Sequence, residues 1–173
     1  MAFFMSRLLI IAFAALFALS ACETAAPTLG PDGKPLPRVY RISSGNTGKI
    51  QLRMKDSINA LRGAAGATPL SLNSQLTAAA ATHSRDMSVQ NRAWHFGSDA
   101  SSPLDRVKRT GYAGTMRGEN ISETYETEVE TLSAWMDKPG TRSVILDPKS
   151  TDMGFSWHQD ANGKIWWTLV TGG

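Results

Sequence analysis

The chain has 173 residues, with 18 Lys and Arg against 15 Asp and Glu, and 42% of its residues are hydrophobic. This length suits one domain with an extension. The charges nearly balance and form no basic cluster, which excludes a nucleic-acid-binding protein; we interpret the one basic run, at residues 106–109, as the solvated face of a short helix.

The N-terminus has the features of a lipoprotein signal peptide. Arg7 precedes an apolar run of 12 residues at positions 8–19. This run is shorter than the roughly 20 residues that a membrane-spanning helix needs and is typical of a signal peptide. The four residues that end at Cys22, Leu-Ser-Ala-Cys, resemble the lipobox of bacterial lipoproteins. We therefore expect residues 1–21 to be removed and Cys22 to be acylated and to anchor the protein to a membrane. The alternative is an ordinary cleavage after Ala21 that leaves a free thiol.

Residues 22–48 have the composition of an extended tether. They contain four of the eight prolines in the chain, and Pro-rich segments favour extended linkers. Within them, residues 38–42 are a candidate edge strand. Because Cys22 is the only cysteine, the exported domain at residues 49–173 contains no disulfide and depends on its core for stability.

Three or four helices are predicted in this domain. The first has apolar residues at positions 50, 54, 58 and 61 on one face. The second begins after Asn73, which offers an N-cap, and the third begins at Pro103, a residue favoured in the first helical position. A fourth begins with the capping box that starts at Thr127 and ends at Pro139.

The C-terminus changes to the two-residue period of a strand. Met153, Phe155 and Trp157 alternate with small residues. A polar turn at residues 160–163 follows, and residues 165–170 form the returning strand. Helices segregated from an antiparallel hairpin predict an α+β fold.

The three histidines are the first candidates for chemistry. His83 lies on the apolar face of the second helix, and we interpret it as a core residue with a satisfied hydrogen bond. His158 follows a strand beside a polar turn and is expected to be exposed. His95 lies in a loop between Trp94 and Phe96, where it is either a ligand or acid–base group or a structural clamp.

One carboxylate, that of Glu119, is a candidate for burial. It lies between Gly118 and the apolar Ile121, which is expected to point inward. A buried charge needs a partner. His95 lies 24 residues earlier, separated from it by one short helix, so the two side chains are within reach of each other.

Short strings in a fixed order extend over residues 50–172. They include Asn59-Ala60-Leu61-Arg62, Pro69-Leu70, His83-Ser84-Arg85-Asp86-Met87, His95-Phe96-Gly97, Gly118-Glu119-Asn120-Ile121, Trp135-Met136, Pro139-Gly140-Thr141-Arg142 and Trp167-Thr168. As an ordered set they resemble the CAP superfamily, also called SCP-like, in its short bacterial form. The resemblance implies an α-β-α sandwich with a small antiparallel sheet between helices. It also implies a surface cavity that in many members carries two histidines and two acidic residues, sometimes with a divalent metal.

The resemblance places the first histidine of that cavity on His95 and the first glutamate on Glu119. The second histidine falls on Thr141 and the second acidic residue on Lys138, so half of the set is replaced. Because stable zinc sites use three or four protein ligands, we expect no bound metal or other cofactor. We expect instead a charge-assisted hydrogen bond between His95 and Glu119, with Lys138 as a further candidate partner for Glu119.

Two functions follow from this interpretation. The first, favoured by the reduced cavity, is a non-catalytic binding module on the periplasmic or extracellular face of a bacterial membrane. Its ligand would be a lipid, cell-wall material or a partner protein. The lipid is suggested by family members that bind sterols and lipids. The second is a hydrolase, such as a peptidase, with His95 as general base oriented by Glu119. Its candidate nucleophiles are Ser84, Ser98 and Thr141, although no nucleophile-elbow string occurs. We expect a monomer.

Overall fold

The computed structural model describes residues 40–123 and 125–173. The predicted signal peptide, Cys22 and most of the predicted tether lie outside these residues. Among the described residues, no helix has both the length and the apolar character needed to cross a bilayer.

Five α-helices and four strands make up this part of the chain. After a 3-10 turn at Ser44–Asn46, they are α1 (Thr47–Ala64), β1 (Ser71–Leu72), α2 (Ser74–Gln90), α3 (Pro103–Arg109), β2 (Met116–Ser122), α4 (Glu128–Asp137), α5 (Pro139–Leu146), β3 (Asp152–Gln159) and β4 (Ile165–Gly172). The strand order in the sheet is β1-β3-β4-β2. Strands β2, β3 and β4 pair antiparallel, whereas the short β1 pairs parallel with β3.

The helices cover both faces of the sheet. On one face, buried residues of α1, α4 and α5 pack against Phe155, Trp167 and Leu169. On the other, α2 and α3 pack around Val170. A Cβ on Gly154 would lie 2.1 Å from the backbone carbon of Leu76, so only glycine lets α2 approach β3 this closely. The predicted α+β fold, an α-β-α sandwich, is confirmed.

Local helix signals agree with the predictions. The side chain of Asn73 accepts a hydrogen bond from the backbone N–H of Leu76 at the start of α2. The capping box of Thr127 and Glu130 is present at the start of α4. The predicted hairpin is strands β3 and β4.

Four elements differ from the predictions: helix α5, strands β1 and β2, and residues 40–42. The predicted end of α4 before Pro139 is confirmed, because α4 ends at Asp137. Pro139 also occupies the first position of the unpredicted α5, where its missing N–H costs nothing. Strands β1 and β2 were not predicted, because neither has an alternating apolar pattern. The described residues of the candidate edge strand, 40–42, are not a strand.

Residues 40–42 are held against the end of the β3–β4 hairpin by a clamp of four hydrogen bonds. The side chain of Gln159 accepts from the backbone N–H of Ile42 at 3.0 Å and donates to the carbonyl of Tyr40 at 2.7 Å. The guanidinium of Arg41 donates to the carbonyls of Asp160 and Ala161. The chain that enters α1 is therefore fixed to the sheet.

Arg62, near the end of α1, is a fully buried side chain that joins separate segments. Its guanidinium donates to the carbonyls of four residues, Thr68, Ile145, Asp147 and Ser150. Burial lowers the pKa of Arg62 from its ordinary value, and the nearby Asp147 carboxylate partly offsets this effect. The four carbonyls take the place of a carboxylate counter-ion.

Candidate functional site

The Glu119 carboxylate is buried and bonded on both oxygens. Its Oε1 lies 2.9 Å from Nδ1 of His95, and its Oε2 accepts a hydrogen bond of 2.8 Å from Nη2 of Arg106. The side chain of Glu119 is 3% exposed, that of Arg106 4% and that of His95 51%. The hydrogen bond predicted between His95 and Glu119 is therefore present.

The register of β2 decides which side of the sheet Glu119 faces. Glu119 pairs with Val170 of β4, and residues paired across strands share a face. Val170 belongs to the core cluster beneath α2 and α3. Glu119 therefore faces these two helices, and they supply His83 and Arg106.

His83 contributes a buried imidazole to the same site. Its Nε2 lies 2.9 Å from the carbonyl of Trp94 and 3.8 Å from Oε1 of Glu119. Because a carbonyl only accepts, Nε2 carries the proton, and the buried Nδ1 has no partner among the described residues. Burial lowers the pKa of His83, an effect that the Glu119 carboxylate partly opposes. The prediction that His83 is a core residue is confirmed. Its closeness to Glu119 was not predicted.

Arg106 is the residue that sequence reasoning placed wrongly. It was assigned to a solvated face, but it is buried beneath Glu119 and also donates to the carbonyl of Ser101 at 3.0 Å. Lys108 and Arg109 of the same run are exposed. Lys138, the predicted further partner of Glu119, forms no ion pair with it in the described part of the chain. Arg106 is the cation beside that carboxylate.

Thr141 and Lys138 lie on the other side of the sheet from Glu119. Asn120 is the next residue of β2 and so points to the opposite face, where its side chain donates to the Thr141 carbonyl at 2.9 Å. The Thr141 hydroxyl donates to the carbonyl of Trp135 at 2.6 Å. Lys138 is the junction residue between α4 and α5. The structure thus brings His95 and Glu119 together but does not bring Thr141 and Lys138 to them.

The loop that carries His95 is fixed by α2. Asp86 accepts hydrogen bonds from the backbone N–H and the hydroxyl of Ser98, at 2.7 and 2.6 Å. A Cβ on Gly97 would lie 2.5 Å from the Ser101 hydroxyl and 2.6 Å from a carboxylate oxygen of Asp99, so a larger residue here would have to displace these side chains. Trp94 and Phe96 also contact each other, with ring centroids 5.7 Å apart. Asp86 was not singled out from the sequence, although it lies in one of the strings that carry the family resemblance.

The donor set does not fit a divalent metal. Within residues 40–123 and 125–173, no three His, Cys, Asp or Glu side chains form a group that could hold a metal. The Glu119 oxygen that could complete such a group accepts from the positively charged Arg106. The Thr141 hydroxyl is also committed to a carbonyl. These residues therefore offer hydrogen bonding by His95, and they do not form a site for a Lewis-acidic metal ion.

None of the candidate nucleophiles is bonded to His95. The Ser84 hydroxyl is buried and donates to Thr168 at 2.8 Å. The hydroxyls of Ser98 and Thr141 donate to Asp86 and to the Trp135 carbonyl. His158 lies within β3, 3.5 Å from Asp160, and is partly rather than fully exposed.

Comparison with known proteins decides the family. A family model described as CAP, the cysteine-rich secretory protein family, matches residues 55–171. The chain belongs to the CAP family. It is 34% identical over 108 residues to the uncharacterized protein YkwD of Bacillus subtilis. The matched segment covers 62% of this chain and 41% of YkwD, so this CAP protein spans less than half of that relative.

Solved structures share the fold. An extracellular SCP-domain protein from Bacillus anthracis superposes with a TM-score of 0.65 at 24% identity, covering 84% of this chain and 45% of that one. An outer surface protein from Borrelia burgdorferi also has a TM-score of 0.65, at 12% identity, covering 78% of this chain and 98% of that one. At these identities the likeness establishes the CAP fold alone.

Proposed function

We propose that this protein is an exported CAP-domain module, anchored to a bacterial membrane through acylated Cys22, that binds a ligand at the cell envelope without transforming it. The lipobox-like sequence at Cys22 supports export and anchoring. The Bacillus anthracis relative is described as extracellular and the Borrelia burgdorferi one as an outer surface protein, which suits an envelope location.

The engagement of Glu119 by Arg106 is the observation that carries the non-catalytic assignment. A general base must become an imidazolium, and a free carboxylate beside it stabilises that charge. The negative charge of Glu119 is already compensated by Arg106 at 2.8 Å. The role of Glu119 toward His95 is therefore to orient the imidazole ring through its Nδ1. The candidate hydroxyl nucleophiles are bonded elsewhere.

The exposed part of this site suits recognition. Because Nδ1 of His95 is bonded to Glu119, Nε2 is left for a ligand on a half-exposed ring. The next residue, Phe96, is 49% exposed. A polar ring atom beside an aromatic side chain matches an amphiphilic ligand, for which a lipid, cell-wall material and a segment of a partner protein are the candidates.

Membrane anchoring is tested by labelling growing cells with an alkyne analogue of palmitate. The wild-type chain should incorporate the label and sediment with membranes, because two or more acyl chains anchor a protein stably. A Cys22→Ser variant should lose both properties. Equal labelling of the two proteins would contradict acylation at Cys22.

Ligand binding is tested by native mass spectrometry of protein extracted from its own membranes. The wild type should carry a bound mass that a His95→Ala variant lacks. Asp56→Ala is the control, because it truncates an exposed residue of α1, on the opposite side of the sheet from Glu119. A ligand retained by His95→Ala, or no bound mass and no co-purifying partner, would contradict the assignment.

The second candidate function is hydrolysis. It is favoured by the hydrogen bond between Nδ1 of His95 and Glu119, which is the orientation that a histidine general base needs to activate water. A panel of peptide and ester substrates separates the two functions. Turnover that disappears in His95→Ala and persists in the control Asp56→Ala would establish a hydrolase and reject the binding-only role.

A further inference from the structure

A cavity of about 280 Å³ lies between the segment that precedes α1 and strand β3. One wall comes from residues 42–44 and 47, and the other from residues 156–159. We refer to it as the Trp157 cavity. It shares no lining residue with the His95–Glu119 site, and its volume lies near the lower limit for small-molecule pockets.

The indole of Trp157 supplies this cavity with a hydrogen-bond donor that no other described residue uses. The other four tryptophans each donate to a protein acceptor: Trp94 to Gln90, Trp135 to Ile121, Trp166 to Asp160 and Trp167 to Tyr125. An indole N–H usually finds a partner once its ring is packed. Trp157 lines the cavity, and its N–H, which is bonded to no other described residue, is therefore available to a ligand.

The ring of Trp157 is already held in place. Its centroid lies 6.0 Å from that of Phe155 and 5.5 Å from that of Trp167, and Trp157 packs against the main core cluster. A ligand that stacks on this ring does not have to order it first, which lowers the entropic cost of binding.

Three hydroxyl side chains of the opposite wall have no hydrogen-bond partner among the described residues. They belong to Ser43, Ser44 and Thr47, which are all exposed. Ser156 pairs with Thr168, which accepts from Ser84 of α2, so its side chain points away from the Trp157 ring. Each hydroxyl can both donate and accept. This set complements a ligand that itself presents several hydroxyl groups around an apolar face.

The cavity has no permanently charged lining residue. The nearby guanidinium of Arg41 is committed to two backbone carbonyls, and Asp160 is engaged by Ser88 and Trp166. His158 is the one titratable lining residue, and its Nε2 already lies 3.5 Å from the Asp160 carboxylate. A phosphate or carboxylate would find no permanent cation here to offset its loss of water. We infer that the Trp157 cavity binds a neutral saccharide, whose C–H face stacks on the indole and whose hydroxyls bond to the surrounding serine and threonine side chains.

The test uses the five indole N–H signals of the ¹⁵N-labelled full chain, held in a detergent without a sugar headgroup. Triacetylchitotriose and maltotriose are the two neutral probes, and glucose 6-phosphate is the charged comparison. The Trp157 signal should shift saturably with at least one neutral probe while the other four indole signals stay in place. No Trp157 shift with either neutral probe, or stronger binding of the charged sugar, would overturn the inference.

Variants show whether the lining groups are responsible. Trp157→Phe, which keeps an aromatic ring but removes the N–H, and the exposed pair Ser44→Ala with Thr47→Val should each weaken binding about tenfold, equal to about 1.4 kcal/mol. The exposed pair keeps the test valid if Trp157→Phe does not fold. Thr82→Val removes an exposed hydroxyl outside the cavity and should bind as wild type. Equal weakening in Thr82→Val would refute the assignment.

This site can fail independently of the proposed function. The titration requires neither Cys22 nor His95, so a His95→Ala variant should still bind the saccharide as wild type does. Loss of the native ligand in that variant with unchanged saccharide binding would show two separate sites.

Discussion

Replacing Arg106 with methionine should destabilise the domain strongly, although the residue lies on a helix of only seven residues. The two side chains of the Arg106–Glu119 pair are 4% and 3% exposed. The variant leaves a carboxylate buried without its cation, and removing one partner of a buried pair costs about 3–5 kcal/mol. That is a large part of the total stability of a domain, about 5–15 kcal/mol.

A double-mutant cycle separates the ion pair from other effects of the substitution. Glu119→Gln leaves Arg106 unpaired and should also destabilise. Combining it with Arg106→Met removes both charges, so the double variant should be more stable than the two single losses predict, by about 2–3 kcal/mol. Lys108→Met is the matched control, because Lys108 is exposed on the same helix, and it should change stability by less than about 0.5 kcal/mol.

Urea unfolding followed by circular dichroism at neutral pH measures these differences. The expected loss for Arg106→Met corresponds to a fall in Tm of roughly 6–20 °C for a protein of this size. A loss below about 1 kcal/mol, or single losses that simply add, would show that Arg106 is not the counter-ion of Glu119 and would remove the main argument for a non-catalytic site.

Three further predictions concern other parts of the molecule. Arg62→Met should cost about 3–5 kcal/mol in urea unfolding, because four carbonyls lose a buried charged donor; Lys49→Met, at an exposed position of the same helix, is the comparison. Burial holds the pKa of His83 below its ordinary 6.5, so the unfolded chain binds more protons than the folded one as the pH falls below about 6.5. The free energy of unfolding should therefore decrease as the pH falls below about 6.5, and His83→Gln should make this decrease smaller. Adding EDTA or Zn²⁺ should move Tm by less than about 1 °C, since a metal that does not bind the native state does not stabilise it; a rise with Zn²⁺ would contradict this.

The predictable parts of the fold are those specified by neighbouring residues. Asn73 and the Thr127–Glu130 pair act within one helical turn, and their caps are where the sequence indicates. Strand β2 has no such local signal, because its identity comes from pairing with β4, which lies over 40 residues later. Pro139 both follows the end of α4 and begins α5, and the sequence indicated only the first of these roles.

The candidate site was predictable only in part for the same reason. The family resemblance singled out His95 and Glu119, and they are in contact. Arg106 lies in a run of basic residues that is typical of a solvated helix face, and its burial depends on Glu119 from another element. No local pattern distinguishes it from its exposed neighbour Lys108. Likewise, the closeness of His83 to Glu119 results from the register of β2 beneath α2.

The clamp that joins residues 40–42 to Gln159 and the hairpin end also determines how mechanical load would enter the domain. A pull on the chain from its N-terminal side reaches these four hydrogen bonds before it reaches α1. Tyr40 and Ile42 also pack against the main core cluster, so the load is shared between these hydrogen bonds and core contacts. Ile42 and the serines that follow it form one wall of the Trp157 cavity. Load on this segment therefore also acts on that wall.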